Sequence, residues 1–227
     1  MAVLTAVTAL GALQGIREGS ACSWRGVPYA KPLIAERRFL PPEPIDSWNG
    51  VFQAQYYGGI APQRSILRRG ISEDCLNLNI WSPDADDQRR PVLFFIHGGS
   101  FEHGSGSESF YNGAHLAAAW DVVVVTCNYR LGVLGFLDYS LLSSAFTPNL
   151  GLQDVKEALK WVHTHIEHCG GDPDNSTIFG QSAGGTMVSA LSVMQEPRRY
   201  IRGAIMLSGG PTQVQSLQEC RDTTRKY

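Results

Sequence analysis

The sequence predicts an α/β fold with a mostly parallel central sheet flanked by helices. Three observations carry that expectation. Two solid apolar runs, Pro91-Val92-Leu93-Phe94-Phe95-Ile96-His97 and Val122 to Cys127, have the length of strands covered on both faces. Two further runs, Ser176-Thr177-Ile178-Phe179 and Gly203-Ala204-Ile205-Met206-Leu207, look like two more. Between them Leu152, Val155, Leu159, Val162 and Ile166 recur at steps of three and four, one face of an amphipathic helix. Strands that alternate with helices build an α/β sheet.

The other elements follow in chain order. Met1 to Val7 is apolar, has no positive residue before it and no small-residue cleavage site. It reads as a first strand and not as a secretion signal. Residues 1–30 read as short strands around Gly11, Gly15 and Gly19. Residues 31–65, broken by Pro41, Pro42 and Pro44, read as loops. Leu76-Asn77-Leu78-Asn79-Ile80-Trp81 alternates apolar with polar, as a half-buried strand does. Asp84 to Arg90 is a polar turn. Short helices are expected over 114–119 and 183–194.

Composition bounds the function. The chain is 43% hydrophobic and 18% charged with a net charge of −2, the balance of a globular protein. The pairs Arg37-Arg38, Arg68-Arg69, Arg89-Arg90 and Arg198-Arg199 are scattered. They read as solvated surface or local ion pairs, so no nucleic-acid partner is expected. No run approaches the ~18 apolar residues of a membrane span. Cys22, Cys75, Cys127, Cys169 and Cys220 are odd in number and widely spaced. That argues against a disulfide scaffold and zinc, and for a reducing, cytoplasmic setting. His163, His165 and His168 read as helix residues and not as metal ligands.

Two motifs carry chemistry. Gly180-Gln181-Ser182-Ala183-Gly184 fits G-x-S-x-G, directly after a strand and directly before a helix. That context is what a nucleophile elbow requires, with Ser182 exposed at a sharp turn. The following helix points its positive end at the serine, where negative charge develops. His97-Gly98-Gly99-Ser100-Phe101 also ends a solid strand. Acyl transfer needs backbone N–H donors fixed in advance around an oxyanion, and adjacent glycines let a loop aim them. Phe101, Glu102 and His103 fit either a pocket wall or a plain loop.

The stretches Glu73 to Trp81, His97-Gly98-Gly99, Asn128-Tyr129-Arg130-Leu131-Gly132 and Asn149 through Gly185, with Gly170 to Asn175 among them, resemble the type-B carboxylesterases and cholinesterases. The match runs from about residue 5 to about residue 210. It implies the N-terminal part of an α/β-hydrolase fold, seen as far as the elbow helix and the strand after it. Residues 1–211 then form that portion, and 212–227 a polar, divergent tail. The resemblance implies Ser182 as the acyl-forming nucleophile and the N–H groups of Gly99, Ser100 and Ala183 as the oxyanion hole. It implies a small-molecule carboxylic ester substrate and no metal or organic cofactor. It also implies two buried ion pairs, Arg38–Glu73 and Arg130–Asp154.

Three departures qualify the resemblance. Gln181 stands where most relatives have Glu. Cys75 sits where secreted relatives have a half-cystine, but the partner position reads Ala61-Pro62-Gln63, so the usual bridge cannot form; Cys22 is a remaining candidate, and a reducing compartment is favoured. The 45 residues after Ser182 contain no histidine, and the family's acid and base lie in a part of its chain that follows residue 227. Three readings stay open: a serine ester hydrolase seen in part, a remnant that turns over poorly, and a non-catalytic adhesion or binding module. A half sheet would also expose an edge and apolar faces, so self-association is expected.

Overall fold

The computed structural model describes residues 3–64, 70–212 and 214–226. Met1 and Ala2 of the first strand, the Arg68-Arg69 pair, and Gln213 and Tyr227 of the tail lie outside the described residues. The strands are β1 (Val3–Thr8), β2 (Gly11–Glu18), β3 (Ala21–Pro28), β4 (Val51–Gln53), β5 (Asn77–Ser82), β6 (Arg90–Ile96), β7 (Val123–Cys127), β8 (Gly171–Gln181) and β9 (Gly203–Leu207). The helices are α1 (Ala114–Trp120), α2 (Gly132–Phe136), α3 (Leu150–His165), α4 (Ala183–Val193) and α5 (Leu217–Thr224).

Among the described residues these strands form one sheet in the order β1-β2-β3-β5-β7-β6-β8-β9, with β4 beside β2. From β7 to β9 the pairing is parallel, and α1, α2–α3 and α4 connect the successive strands. From β1 to β7 it is antiparallel; short turns join β1 to β2 and β2 to β3, while longer connections lead into β5 and β7. The expected strands and helices are all present. Three more lie outside those expectations, the first being α2, a short helix just after β7. β4 is a three-residue strand inside the region read as loops. α5 forms within the polar tail on a capping box, in which Ser216 and Glu219 satisfy each other's backbone N–H. Its Thr224 is buried and accepts a hydrogen bond from the Asp138 N–H at 3.1 Å.

Successive side chains on a strand point to opposite faces. On one face Val92, Phe94, Ile96, Val125 and Ile178 join Val155, Leu159 and Val162 of α3 and Met187, Val188 and Leu191 of α4 in the main core. On the other, Trp81 and Val124 pack against Ala117 of α1. Beyond α1 that second face stays open. A cleft of about 300 Å³ lies there, lined by Phe95, Phe110, Tyr111, His115, Leu116 and Phe179 among others.

Two burial expectations are corrected. β5 is buried at every position, not half-buried, because it lies between β3 and β7 with its polar side chains paired. The Asn79 amide donates to Gly106 O and Thr126 Oγ1 and accepts from Gly26 N–H. The Asn77 amide donates to Gly59 O, and the Ser82 hydroxyl to Asp84 O. The apolar run of β9 predicts a covered strand, yet Ile205, Met206 and Leu207 are 46–49% exposed, because only β8 pairs with it among the described strands.

Candidate active site

β8 ends at Gln181, and α4 begins at Ala183, so the chain reverses on Ser182 alone. Ser182 has φ 55° and ψ −121°, a conformation that an L-residue keeps only when its surroundings hold it there. Two hydrogen bonds do so: its N–H donates to Leu207 O at 2.8 Å, and its carbonyl accepts from Thr186 N–H at 3.0 Å. The close crossing needs glycine. A Cβ on Gly184 would stand 2.1 Å from the Ile96 carbonyl oxygen, so α4 passes directly over the end of β6.

The end of β6 brings the second motif to the same place. A Cβ on Gly98 would stand 2.5 Å from Gln181 O and 3.3 Å from Ser182 Cβ. The chain then turns through positive φ at Gly99 (114°), Ser100 (55°) and Phe101 (62°). The Gly99 carbonyl closes the turn by accepting from the N–H groups of Glu102 and His103 at 2.9 and 3.0 Å. The N–H groups of Gly99, Ser100 and Ala183 have no backbone acceptor among the described residues. The structure therefore brings Gly98, at the start of the glycine loop, against Ser182, 84 positions later in the sequence. Phe101 packs its ring on Phe136 with centroids 4.6 Å apart, whereas Glu102 and His103 are exposed.

His97 is buried, and its pKa is pulled down to about 4 by desolvation. The neutral ring places Nδ1 2.8 Å from Gly98 O and stacks on Tyr129 at 4.3 Å, while the Tyr129 hydroxyl donates to His97 O at 2.7 Å. None of the histidines hydrogen-bonds to Ser182 among the described residues.

The two expected ion pairs differ. Arg130 and Asp154 are almost fully buried, with Nη2–Oδ1 at 2.6 Å and Nε–Oδ2 at 2.8 Å, and Arg130 also donates to the carbonyls of Arg38 and Leu40. Arg38 and Glu73 meet at 2.8 Å with side chains 41% and 29% exposed. That pair is not buried, because it lies in the loop region outside the sheet. Among the other arginine pairs, Arg198 and Arg199 are exposed as expected, but Arg90 is buried.

Sequence reasoning missed the polar network beneath the loop. The Asn128 carboxamide accepts from Ser105 Oγ and Gly106 N–H and donates to Gly59 O. The only sequence signal is a row of amides in strands otherwise apolar. The five cysteines are unpaired, four of them buried, and burial raises the thiol pKa values of those four. Among the described residues no group of His, Cys, Asp and Glu is placed to hold a metal, and no helix is long and apolar enough to cross a membrane.

The model of the carboxylesterase family matches residues 2–226. This chain belongs to the carboxylesterase family. It is 46% identical over 209 residues to the para-nitrobenzyl esterase of Bacillus subtilis, covering 89% of this chain and 43% of that protein. It is 40% identical to the human cocaine esterase, covering 88% of this chain and 38% of that protein. Among solved structures, a carboxylesterase of Geobacillus stearothermophilus matches with a TM-score of 0.94 at 45% identity, over 97% of this chain and 47% of the other. The chain thus spans less than half the length of these carboxylesterases, and the matched portion is an α/β-hydrolase sheet.

Proposed function

We propose that this carboxylesterase-family chain carries the nucleophile and the oxyanion donors of a serine ester hydrolase acting on small-molecule carboxylic esters. The observation that supports it best is one juxtaposition. Ser182 is held at φ 55° beside Gly98, and the N–H groups of the next two loop residues, Gly99 and Ser100, and of Ala183 have no backbone acceptor among the described residues. Ser182 Oγ attacks the ester carbonyl carbon and gives its proton to a base. The carbonyl oxygen becomes an oxyanion held by the three N–H donors. The alkoxide then leaves with a proton as alcohol, and water releases the acid from the acyl-serine. The reading assigns the nucleophile and the donors, and it assigns no base or acid.

The test is covalent labelling by a fluorophosphonate, read by intact mass. The chain is expected to gain one adduct, which Ser182→Ala abolishes. An unlabelled but folded chain would mean that Ser182 is silent in it.

The same reading includes an association surface. Unpaired backbone groups along β9 and the exposed Ile205, Met206 and Leu207 form an apolar sheet edge without a charged residue. Sedimentation velocity is expected to show self-association that Met206→Lys weakens. A wild-type chain that stays monomeric at high concentration would refute this part.

A further inference from the structure

The aim of the oxyanion donors depends on what fixes the two ends of their loop. The outgoing end is held by the β6 ladder and by Tyr129, which covers and hydrogen-bonds His97. The returning end is Gly104. Its φ is 110°, and a Cβ there would stand 2.6 Å from Gly98 O and 2.6 Å from His97 Nδ1, so the returning backbone rests directly on the outgoing one. Between the ends, three successive positive φ values leave no room for a strand ladder.

One side chain holds both polar groups of Gly104. The Gly104 N–H donates to Gln63 Oε1 at 2.9 Å, and Gln63 Nε2 donates to Gly104 O at 2.9 Å. The same Nε2 lies 3.1 Å from Ala61 O, which ties the carboxamide to its own loop. A carboxamide offers a donor and an acceptor side by side, as the backbone of a neighbouring strand would. Next to it, Ser105 N–H donates to Glu108 Oε1 and Ser105 Oγ to Asn128 Oδ1, so the return is anchored just beyond Gly104 as well.

We propose that Gln63 is a positioning residue for ester hydrolysis: its carboxamide pins Gly104, and through it Gly98, so that the Gly99 and Ser100 N–H groups stay aimed at Ser182. This rests on the reading of Ser182 and its donors given above. Gln63 does not touch the reacting atoms and acts only through the loop.

The experiment compares the full chain with Gln63→Ala and Gln63→Glu in two measurements. In amide hydrogen exchange, Gln63→Ala is expected to speed exchange of the Gly104 N–H by about tenfold, with the rest of 97–104 following and α3 unchanged. Gln63→Glu keeps the acceptor and is expected to preserve that N–H while releasing the Gly104 carbonyl. In fluorophosphonate labelling, the limiting rate of Gln63→Ala is expected to fall by about ten- to a hundredfold, with Gln63→Glu between. The half-saturating probe concentration should barely move. Exchange over 97–104 that is unaltered in Gln63→Ala would overturn the proposal, as would a loosened loop that labels at the wild-type rate. If Gln63→Ala does not fold, Gln63→Glu decides through its labelling rate: a rate equal to that of the wild type would overturn it. A wild-type chain that never labels refutes the serine reading instead, and exchange alone then judges the clamp.

Discussion

The two ends of the parallel strands are held by different means. At the N-terminal end of β6, Arg90 is buried, donates from Nε to Asp121 at 2.6 Å, and pairs with Asp86 through its other nitrogens. Arg89 beside it reaches Asp172 and Asp174 at the start of β8, at 2.6 and 3.2 Å. At the C-terminal end of the same two strands the chain runs through positive φ at Gly99, Ser100, Phe101 and Ser182. Its supports there are mostly neutral: Tyr129, Gln63 and a buried uncharged His97, with the Glu108 carboxylate on Ser105 N–H just beyond the loop. Ion pairs brace the first end, and hydrogen bonds from mostly neutral groups hold the strained loop at the second. An oxyanion site benefits from donors whose field no fixed charge compensates, so the division suits the chemistry proposed.

The largest expected stability effect is at the second end and comes from pH. Burial holds the folded-state pKa of His97 at about 4, below its ordinary 6.5. The unfolded chain therefore takes up the proton first. Above about pH 6.5 the group costs nothing; as pH falls from there towards 4, stability is lost, up to about 3 kcal/mol. Urea midpoints at pH 7 and pH 4.5 measure it, and His97→Gln should remove that part of the slope. An equal slope in the variant would mean that the C-terminal end is not the acid-sensitive one.

Much of this division was legible in the sequence, and the misses are physical. The apolar runs place β6 and β7, and G-x-S-x-G between a run and a helix places the turn at Ser182. Local pattern does not report what lies next to a strand. Leu76 to Trp81 alternates like a half-exposed strand, yet Asn77 and Asn79 are buried because loops from 59 and 106 come over them. The run 203–207 reads as covered, but cover is supplied by neighbours, and β9 has one. The Gln63–Gly104 clamp joins residues 41 positions apart, and nothing local to either announces it. The family resemblance pairs Arg38 with Glu73 correctly but implies a buried pair, whereas the loop around it leaves both side chains partly exposed.

A smaller effect is expected at the first end. Arg90→Ala strips Asp86 and Asp121 of a shared partner. Both carboxylates reach water, with side chains 39% and 76% exposed, so neither is left as a buried unpaired charge. The loss is then about 1–2 kcal/mol, below the full value of charge-assisted hydrogen bonds because solvent screens the pair. The urea midpoint should fall, and fall less at high salt, while the fluorophosphonate labelling rate stays at its wild-type value. A labelling rate that dropped with Arg90→Ala would break the comparison, since it would mean that the brace at one end sets the geometry at the other.

The smallest effect has the opposite sign. Ser182 adopts φ 55° and ψ −121° although it has a Cβ, and that backbone costs about 1–3 kcal/mol for a residue other than glycine. Ser182→Gly releases the strain but gives the unfolded chain more freedom, which takes back about 0.4–1 kcal/mol. The balance is a gain of about 1 kcal/mol, seen as a raised urea midpoint in a protein that no longer labels. Ser182→Ala keeps the Cβ and the strain, so it should lose labelling without that gain, and the difference between the two variants isolates the backbone contribution. If Ser182→Gly were instead less stable than Ser182→Ala, the turn would not be strained at the serine. The stability stored against function would then have to lie in the Gly99–Phe101 loop.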